Sequence, residues 1–364
     1  MAVPKFDPKE LKVVGEKLNR FGVPLQLFDF PCTPREAYRA LYERKAVWQV
    51  TGLEYQMFAP RVNPDNVARA MVVDGSPFTE PPHTAKDMFG LDWEYVPTVG
   101  GSIIHPGNPL FEDANDWEKK IVWPDVDSWD WAKNAEENKS YLDTNYWTQC
   151  WFQNGWFERL ISFMDFENAL VALIDDDQQD AVKAFMDRLA TLYIDILDRH
   201  FHYFPNIDEM YMHDDWGAQK ETFFSPALCE ELIVPSMRRV TDFIHSKGKF
   251  AQLHSCGNIG KQVPNMIAAG WDAWSGQPMN DSHAIYAAHG DKILIGVSPE
   301  EFDPANDSEE RQREVARNYS NAFCQPNKPS YFGMYWNNKR NGAEALTSAF
   351  REELYMRSRE NYGK

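Results

Sequence analysis

The stretch FAQLHSCGNIG, residues 250–260, is an apolar run that ends abruptly in polar residues and two glycines. The apolar half predicts a buried strand, and the end of this strand carries His254 and Cys256 two positions apart. Side chains two positions apart on an extended chain point to the same face. An imidazole and a thiolate side by side are suitable ligands for zinc. The alternative interpretation is a turn that contains a histidine and a cysteine without a metal.

Short strands and helices alternate on both sides of this stretch. The strand before it reads EMYMHDD, residues 209–215, and a predicted helix at 225–247 separates the two. Further strands are predicted at residues 273–277, 292–299 and 329–336. This alternation predicts a parallel sheet covered by helices, and the number of strands fits an α/β protein of the (β/α)8 TIM-barrel type. A doubly wound sheet is the alternative, although the sequence lacks the GxGxxG fingerprint that would support it.

Polar and aromatic residues follow the predicted strands at the point where each strand ends. In a (β/α)8 barrel, the C-terminal ends of the strands form the face that carries the chemistry. The candidate site residues on this face are His213, Asp214, Asp215, Trp216, His254, Cys256, Gln277, Tyr335 and Trp336. If the barrel prediction is correct, these residues converge on one site.

The predicted zinc site needs more ligands than the opening stretch provides. A catalytic zinc takes three protein ligands and keeps one open position. Cys324 is a candidate for the third ligand, although it lies near the end of a predicted helix. The alternatives lie at the end of the neighbouring strand: His213, Asp214 and Asp215.

Asp214 and Asp215 are adjacent on a predicted strand, so their side chains point in opposite directions. One of them is expected to face the site, where it orients a metal ligand or acts as a general acid. The other is expected to cap the next helix. We predict a catalytic role for this pair, and a pair of loop-capping acids is the alternative.

Aromatic residues are frequent in this chain, which contains 13 tryptophans. Aromatic side chains fill large cores, and they also line pockets for flat ligands. We therefore predict that Trp216, Tyr335 and Trp336 contact the substrate together with Gln277, with core packing as the alternative. Arg61, in the loop APRVNP, is a candidate for binding an anion.

The charge balance excludes several classes of partner. The 364 residues include 37 Lys and Arg against 55 Asp and Glu, which gives a net charge of −18. A chain this acidic is poorly suited to nucleic-acid phosphates or to an anionic membrane surface. Five widely spaced cysteines indicate a reducing compartment rather than a disulfide framework. Because no signal peptide and no run of 18 apolar residues is present, we expect a cytoplasmic protein.

The chain is predicted to form a single domain, residues 1–364, with an N-terminal helical extension at residues 1–45. The extension contains a capping-box sequence that opens with Thr33 and Pro34 and predicts a short helix. A strand is expected at residues 46–50.

Two other segments of the chain give contrasting patterns. Residues 51–131 are broken by proline and glycine, and YVPTVGGSIIHPGNPL within them predicts a hairpin with long loops. Residues 178–203 have a clear helical period. The apolar face of this helix is predicted to consist of Val182, Phe185, Met186, Leu189, Leu192, Tyr193, Ile196 and Leu197.

Several motifs taken together resemble the uroporphyrinogen decarboxylase-like superfamily. They are TPREAYRAL, DMFGLDWEYVP, GWFERLISFMDFENAL, HDDWGAQKETFFSPALCEELIVPSMRRV and FAQLHSCGNIG. Their order and spacing match from about residue 33 to 336, most of the chain. The resemblance implies a (β/α)8 barrel with extra N-terminal helices.

The resemblance points to one of two branches of this superfamily. The decarboxylases hold their substrate carboxylates with an arginine-rich loop, and the corresponding TGLEYQMFAPRVNP contains Arg61 alone. Corrinoid-dependent methyltransferases carry H-x-C and a distant cysteine as zinc ligands, which matches His254 and Cys256. Their last cysteine commonly follows the final strand, where this chain reads FGMYWNN and where Cys324 lies upstream.

The methyltransferase branch implies transfer of a methyl group between a small substrate, such as a methoxylated aromatic, and a corrinoid protein. Zinc would act as the Lewis acid and the corrinoid as the second methyl carrier. A cofactor-independent decarboxylase is the alternative function. A barrel that binds a small molecule or a partner without catalysis is the third hypothesis.

Overall fold

The computed structural model of the protein describes residues 5–18, 24–78, 83–98, 101–333, 335–336, 339–340 and 346–364. Its strands are β1 (Val13–Leu18), β2 (Pro24–Phe28), β3 (Tyr55–Phe58), β4 (Thr84–Lys86), β5 (Asp92–Val96), β6 (Gly101–Ile104), β7 (Trp147–Phe152), β8 (Glu209–His213), β9 (Phe250–His254), β10 (Ala273–Trp274), β11 (Leu294–Val297), β12 (Cys324–Gln325), β13 (Lys328–Pro329), β14 (Tyr331–Phe332), β15 (Tyr335–Trp336) and β16 (Lys339–Arg340).

Helices connect most of these strands. They are α1 (Pro34–Tyr42), α2 (Pro64–Ala68), α3 (Trp117–Lys120), α4 (Trp131–Leu142), α5 (Trp156–Ile174), α6 (Gln179–Tyr203), α7 (Pro226–Leu232), α8 (Val234–Ser246), α9 (Val263–Ala268), α10 (Ser282–His289), α11 (Glu309–Phe323) and α12 (Ser348–Tyr362). Short 3₁₀ turns occur at Pro8–Leu11, Ala114–Asp116, Val126–Ser128 and Gly260–Gln262.

The chain divides into two compact units. The first unit consists of Met1–Gln56, Asn145–Trp147 and Asp272–Lys364. The second unit consists of Met57–Thr144 and Thr148–Trp271. The single-domain boundary at residues 1–364 stays a prediction.

The second unit is built around three parallel strands. Strand β8 pairs in parallel with β7 on one side and with β9 on the other. Helices α5 and α6 connect β7 to β8, and α7 and α8 connect β8 to β9. All five residues of β8 are buried, as expected for a parallel strand that is covered on both faces.

A separate antiparallel sheet of β4, β5 and β6 forms within the irregular segment of the second unit. The β5–β6 pair confirms the predicted hairpin, with Trp93 opposite Ile104.

Helix α6 confirms the prediction made from its apolar period. All eight residues of the predicted face are buried, with at most 3% of any of them exposed. A broad apolar stripe of this kind is what anchors a surface helix to the core.

The helix predicted at residues 225–247 is wrong as a single element, because it consists of α7 and α8. Ile233 separates the two with φ −113° and ψ −46°. Pro235 follows in the first turn of α8. Proline is tolerated there because the backbone N–H groups of a first turn have no acceptor within the helix, so the N–H that proline lacks is not missed. The proline ring would clash inside a continuous helix, which explains the break.

The first unit also contains parallel strands. Strand β11 pairs in parallel with β10 and with β14, and α11 and α12 pack against each other. The N-terminal segment differs from the expected helical extension, because β1 and β2 form an antiparallel pair before α1. The strand predicted at residues 46–50 is wrong. Its buried backbone follows an irregular path, in which the N–H of Gln49 donates to Ser358 Oγ at 2.9 Å.

The alternation of parallel strands with helices confirms the α/β class, and the fold is TIM-barrel-like. Closure of eight strands into a complete barrel stays a prediction. Among the described helices, none is both long and apolar enough to cross a membrane. All five cysteines carry free thiols.

Candidate metal centre

The ends of β8 and β9 place two short motifs side by side. The strands pair in parallel register, with His213 directly opposite His254. Their imidazole rings stack with centroids 5.0 Å apart and planes at 20°. Asp215 lies two positions after His213, and Cys256 lies two positions after His254. The sequence therefore forms an H-x-D motif and an H-x-C motif that face each other.

These four residues form one group of potential metal ligands. One donor atom from each of His213, Asp215, His254 and Cys256 lies within 4.8 Å of all the others. Both histidines are buried, whereas Asp215 and Cys256 are half-buried. The group is thus anchored by two buried rings and reaches partly exposed positions through its carboxylate and thiol.

The spacing of the donors can be compared with that around tetrahedral zinc. Bond lengths near 2.0 Å for nitrogen and oxygen and near 2.3 Å for sulfur imply ligand separations of roughly 3.3–3.6 Å. His213 Nε2 lies 3.5 Å from Asp215 Oδ1. Cys256 Sγ lies 3.5 Å from His254 Nε2. The donor set and these two distances fit a zinc ion.

The ring of His213 is held between two carboxylates. Its Nδ1 lies 2.5 Å from Glu158 Oε2, and its Nε2 faces Asp215. Burial alone would lower the pKa of His213, but the negative charges of Glu158 and Asp215 raise it well above the ordinary value. Burial would likewise raise the pKa of Glu158, yet the charges of His213 and Arg69 hold it at about 2.

Cys256 sits in a tight loop directly after β9. Its backbone N–H donates to Asp215 Oδ1 at 2.6 Å, so the two motifs are linked beyond the ends of the strands. Gly257 follows with φ +91°, and a Cβ at this position would lie 2.4 Å from the backbone of Gly217. Only glycine fits such a close approach in this conformation. Burial raises the pKa of the Cys256 thiol.

Asp214 has different contacts from its neighbour Asp215. Its carboxylate accepts the backbone N–H groups of Phe157 and Glu158 at 3.2 and 2.9 Å. These N–H groups belong to the first turn of α5, whose N-cap is Gly155 without a capping side chain. Asp214 therefore caps a helix, but α5 precedes β8 in the chain, whereas the sequence predicted a cap on the next helix. Burial and the charge of Glu158 raise the pKa of Asp214 to about 7.

Trp216 and Cys324 make side-chain contacts with residues that are not members of this group. Trp216 is fully buried, and its indole N–H donates to Asp214 Oδ2 at 2.8 Å. Cys324 belongs to the first unit, where its buried thiol donates to Gln49 Oε1 at 3.4 Å. The four-residue group found in the described part of the chain does not contain Cys324.

Gln277 is half-buried after β10 in the first unit. Tyr335 and Trp336 form β15, which pairs with β16. The substrate-binding roles of Trp216, Gln277, Tyr335 and Trp336 stay predictions.

Arg61 does not present a free guanidinium to an anion. It forms a two-pronged pair with Asp74, with both distances at 2.8 Å, and donates to the carbonyl of Ser76. A bidentate arrangement of this kind occupies the fork that would otherwise bind a substrate carboxylate.

The sequence interpretation missed Glu158 and Arg69. Glu158 lies 55 positions before His213, and no local spacing connects the two. The available signal was an acidic residue in the first turn of a helix that follows a buried strand, in the stretch GWFERL. Such residues are common for electrostatic reasons alone, so this signal is weak.

No family model and no curated protein matches this sequence. Among solved structures, the chain is similar to a methyltransferase from Methanosarcina mazei with a TM-score of 0.55. The match has 12% sequence identity and covers 91% of this chain and 99% of the other. At this identity the likeness establishes a shared fold.

Proposed function

We propose that the protein is a metal-dependent methyltransferase that moves a methyl group between a small substrate and a corrinoid protein. The observation that carries the proposal is the in-register pair of motifs at the ends of β8 and β9. The motif resemblance described above and the fold shared with a methyltransferase also support it. Fold likeness alone would be a weak argument, because one fold hosts many activities.

The metal is proposed to be zinc. Two imidazoles, a thiolate and a carboxylate suit zinc, whereas magnesium and calcium prefer ligand sets made of oxygen alone. His213, His254 and Cys256 are proposed as the three permanent ligands. Asp215 would be the ligand that gives way to substrate, because its side chain is 30% exposed against 11% for His213.

The chemistry follows from the weakness of the substrate as a methyl donor. A methyl ether reacts slowly because the oxygen left behind is a poor leaving group. Zinc bound at this site would supply a Lewis acid for that oxygen. The chain itself would hold His213 through Glu158, so that this ligand needs little rearrangement during the reaction.

The partner in this proposal is a separate protein that carries the corrinoid. The sequence resemblance supports this choice of methyl carrier, and a methoxylated aromatic is the proposed substrate class. The net charge of −18 suggests that a partner would dock through a surface of complementary charge.

Metal analysis of the freshly purified protein tests the proposal. We expect about one zinc per chain, measured by mass spectrometry, because four donors define a single site. His254→Ala and Cys256→Ser should lose most of this zinc. The matched controls are His202→Ala, an exposed histidine on α6, and Cys32→Ser, a half-buried cysteine, and both should retain it.

A wild-type protein without zinc, grown and purified with zinc present, would contradict the metal centre. A transfer assay with a methoxylated aromatic and a cob(I)alamin acceptor then distinguishes the functions. The methyltransferase should lose activity when zinc is chelated. The decarboxylase alternative predicts turnover of uroporphyrinogen that chelation leaves unchanged.

A further inference from the structure

The two ring nitrogens of His213 have different surroundings. Nδ1 contacts Glu158 Oε2 at 2.5 Å, and Nε2 faces the donor group that includes Asp215 and Cys256. A neutral imidazole carries its proton on one nitrogen and a lone pair on the other. When the ring is neutral, as metal binding requires, a carboxylate at Nδ1 keeps the proton on that nitrogen and leaves the lone pair on Nε2, which faces the proposed metal position.

We propose that Glu158 is a positioning residue that orients His213 and fixes its tautomer for metal binding. This inference rests on the proposed metal centre. Histidines that bind metals commonly donate their second N–H to a carboxylate, which fixes the ring and makes it a stronger ligand. Glu158 fits this role because its side chain is about nine-tenths buried and already contacts His213.

Glu158 is itself held from two directions. Its backbone N–H donates to Asp214 Oδ1 at 2.9 Å, which fixes the start of α5 next to the end of β8. Its second carboxylate oxygen accepts Nη1 of Arg69 at 3.1 Å. Both oxygens therefore have a partner, and the carboxylate has little freedom to turn away from His213.

Arg69 extends the support away from the metal ligands. Its Nη1 also donates to Asn154 Oδ1 at 3.0 Å, and its guanidinium lies over the ring of Trp93 at 5.0 Å. Asn154 adopts φ +61°, a backbone conformation that asparagine tolerates better than most residues. The amide of Asn154 donates in turn to Asp65, which is fully buried beside Arg159. The chain of contacts thus runs from His213 into a buried ionic network.

Cobalt(II) titration of the full-length protein tests the role of Glu158, because cobalt(II) reports its ligand geometry through its absorption bands. Glu158→Gln and Glu158→Ala should weaken cobalt and zinc binding by about 10–100-fold, the range found when such partners are removed. Both variants should also shift the ligand-field bands. Arg69→Met should change affinity and bands in the same direction by a smaller amount, because Glu158 stays in place.

Arg239→Met is the matched control, since it removes an exposed arginine paired with Asp187. It should leave both cobalt affinity and the bands unchanged. Wild-type affinity and bands in Glu158→Gln and Arg69→Met would overturn the positioning role while leaving the metal centre intact. A wild-type protein that binds neither metal would instead overturn the proposed function.

The unfolding of each metal-free variant in urea separates positioning from general stability. A residue that merely supports the fold would lower stability without moving the bands of the cobalt that still binds. If Glu158→Ala does not fold, Glu158→Gln and Arg69→Met still decide the question. Their side chains are close in size to the originals.

Discussion

The carboxylate of Asp214, which the sequence predicted to be catalytic, accepts hydrogen bonds that stabilise the fold. It accepts three N–H groups: those of Phe157 and Glu158 at the start of α5, and the indole of Trp216. Asp214→Ala would leave all three donors buried without an acceptor. We expect a loss of about 2–4 kcal/mol in the free energy of unfolding of the metal-free protein, measured in urea.

The control for this change is Asp281→Ala. Asp281 caps α10 in the same way, through the backbone N–H of Ala284 at 3.0 Å, but it is exposed. Water can replace an exposed cap, so this variant should lose less stability than Asp214→Ala. If Asp214→Ala kept wild-type stability and lost only activity, Asp214 would have the catalytic role expected from the sequence.

The two aspartates illustrate which parts of the site a sequence can predict. Alternation along a strand was enough to separate their directions and to pair His254 with Cys256. The choice of His213 and Asp215 as their partners depended on the register between β8 and β9, which no local pattern specifies. The contact between Glu158 and His213 could not be predicted either, because it joins residues 55 positions apart.

Some helices and strands could be predicted from the sequence and others could not. Helix α6 has a long, strict apolar period, so its face could be listed residue by residue and each member is buried. Residues 46–50 have a strand-like composition, yet Gln49 donates to the side chain of Ser358 instead of a strand partner. Composition reports that a segment is buried. It does not report which group accepts its hydrogen bonds.

Helix α6 carries a buried histidine that should make the protein sensitive to acid. His200 Nδ1 contacts the carbonyl of Ile196 at 2.9 Å, and its ring packs edge-on against Trp131. Burial lowers the pKa of His200 to about 4. The ordinary value near 6.5 applies to the unfolded chain, so between about pH 6.5 and 4 only the unfolded chain takes up this proton. The contribution of His200 to the free energy of unfolding is therefore fully present above about pH 6.5, and it is lost as the pH falls from there towards 4.

His200→Phe tests this effect because it keeps a ring and removes the titration. Between pH 7 and pH 5, the wild type should lose about 2 kcal/mol more unfolding free energy than the variant. Urea unfolding at pH 7, 6 and 5 measures the difference. The exposed neighbour on the same helix, His202→Phe, should keep the wild-type pH dependence. Equal slopes in wild type and His200→Phe would show that His200 is not responsible.

The potential metal ligands and the predicted ligand Cys324 belong to different units of the chain. His213, Asp215, His254 and Cys256 all belong to the second unit, as do Glu158 and Arg69. The remaining predicted ligand, Cys324, belongs to the first unit and bonds to Gln49 there. The second unit therefore contains all four donors of the proposed ligand set without Cys324.

Zinc-dependent stabilisation of the whole protein decides between the two ligand sets. A ligand that binds only the folded state adds about 2.7 kcal/mol of stability at a concentration 100 times its dissociation constant. Zinc should therefore raise the unfolding temperature of the metal-free wild type, measured by calorimetry. Cys324→Ser should show the same rise, because serine can still donate to Gln49 and no ligand is lost. Cys256→Ser should show little or none. If Cys324→Ser lost the rise as completely as Cys256→Ser, Cys324 would be a ligand, and zinc binding would require residues from both units.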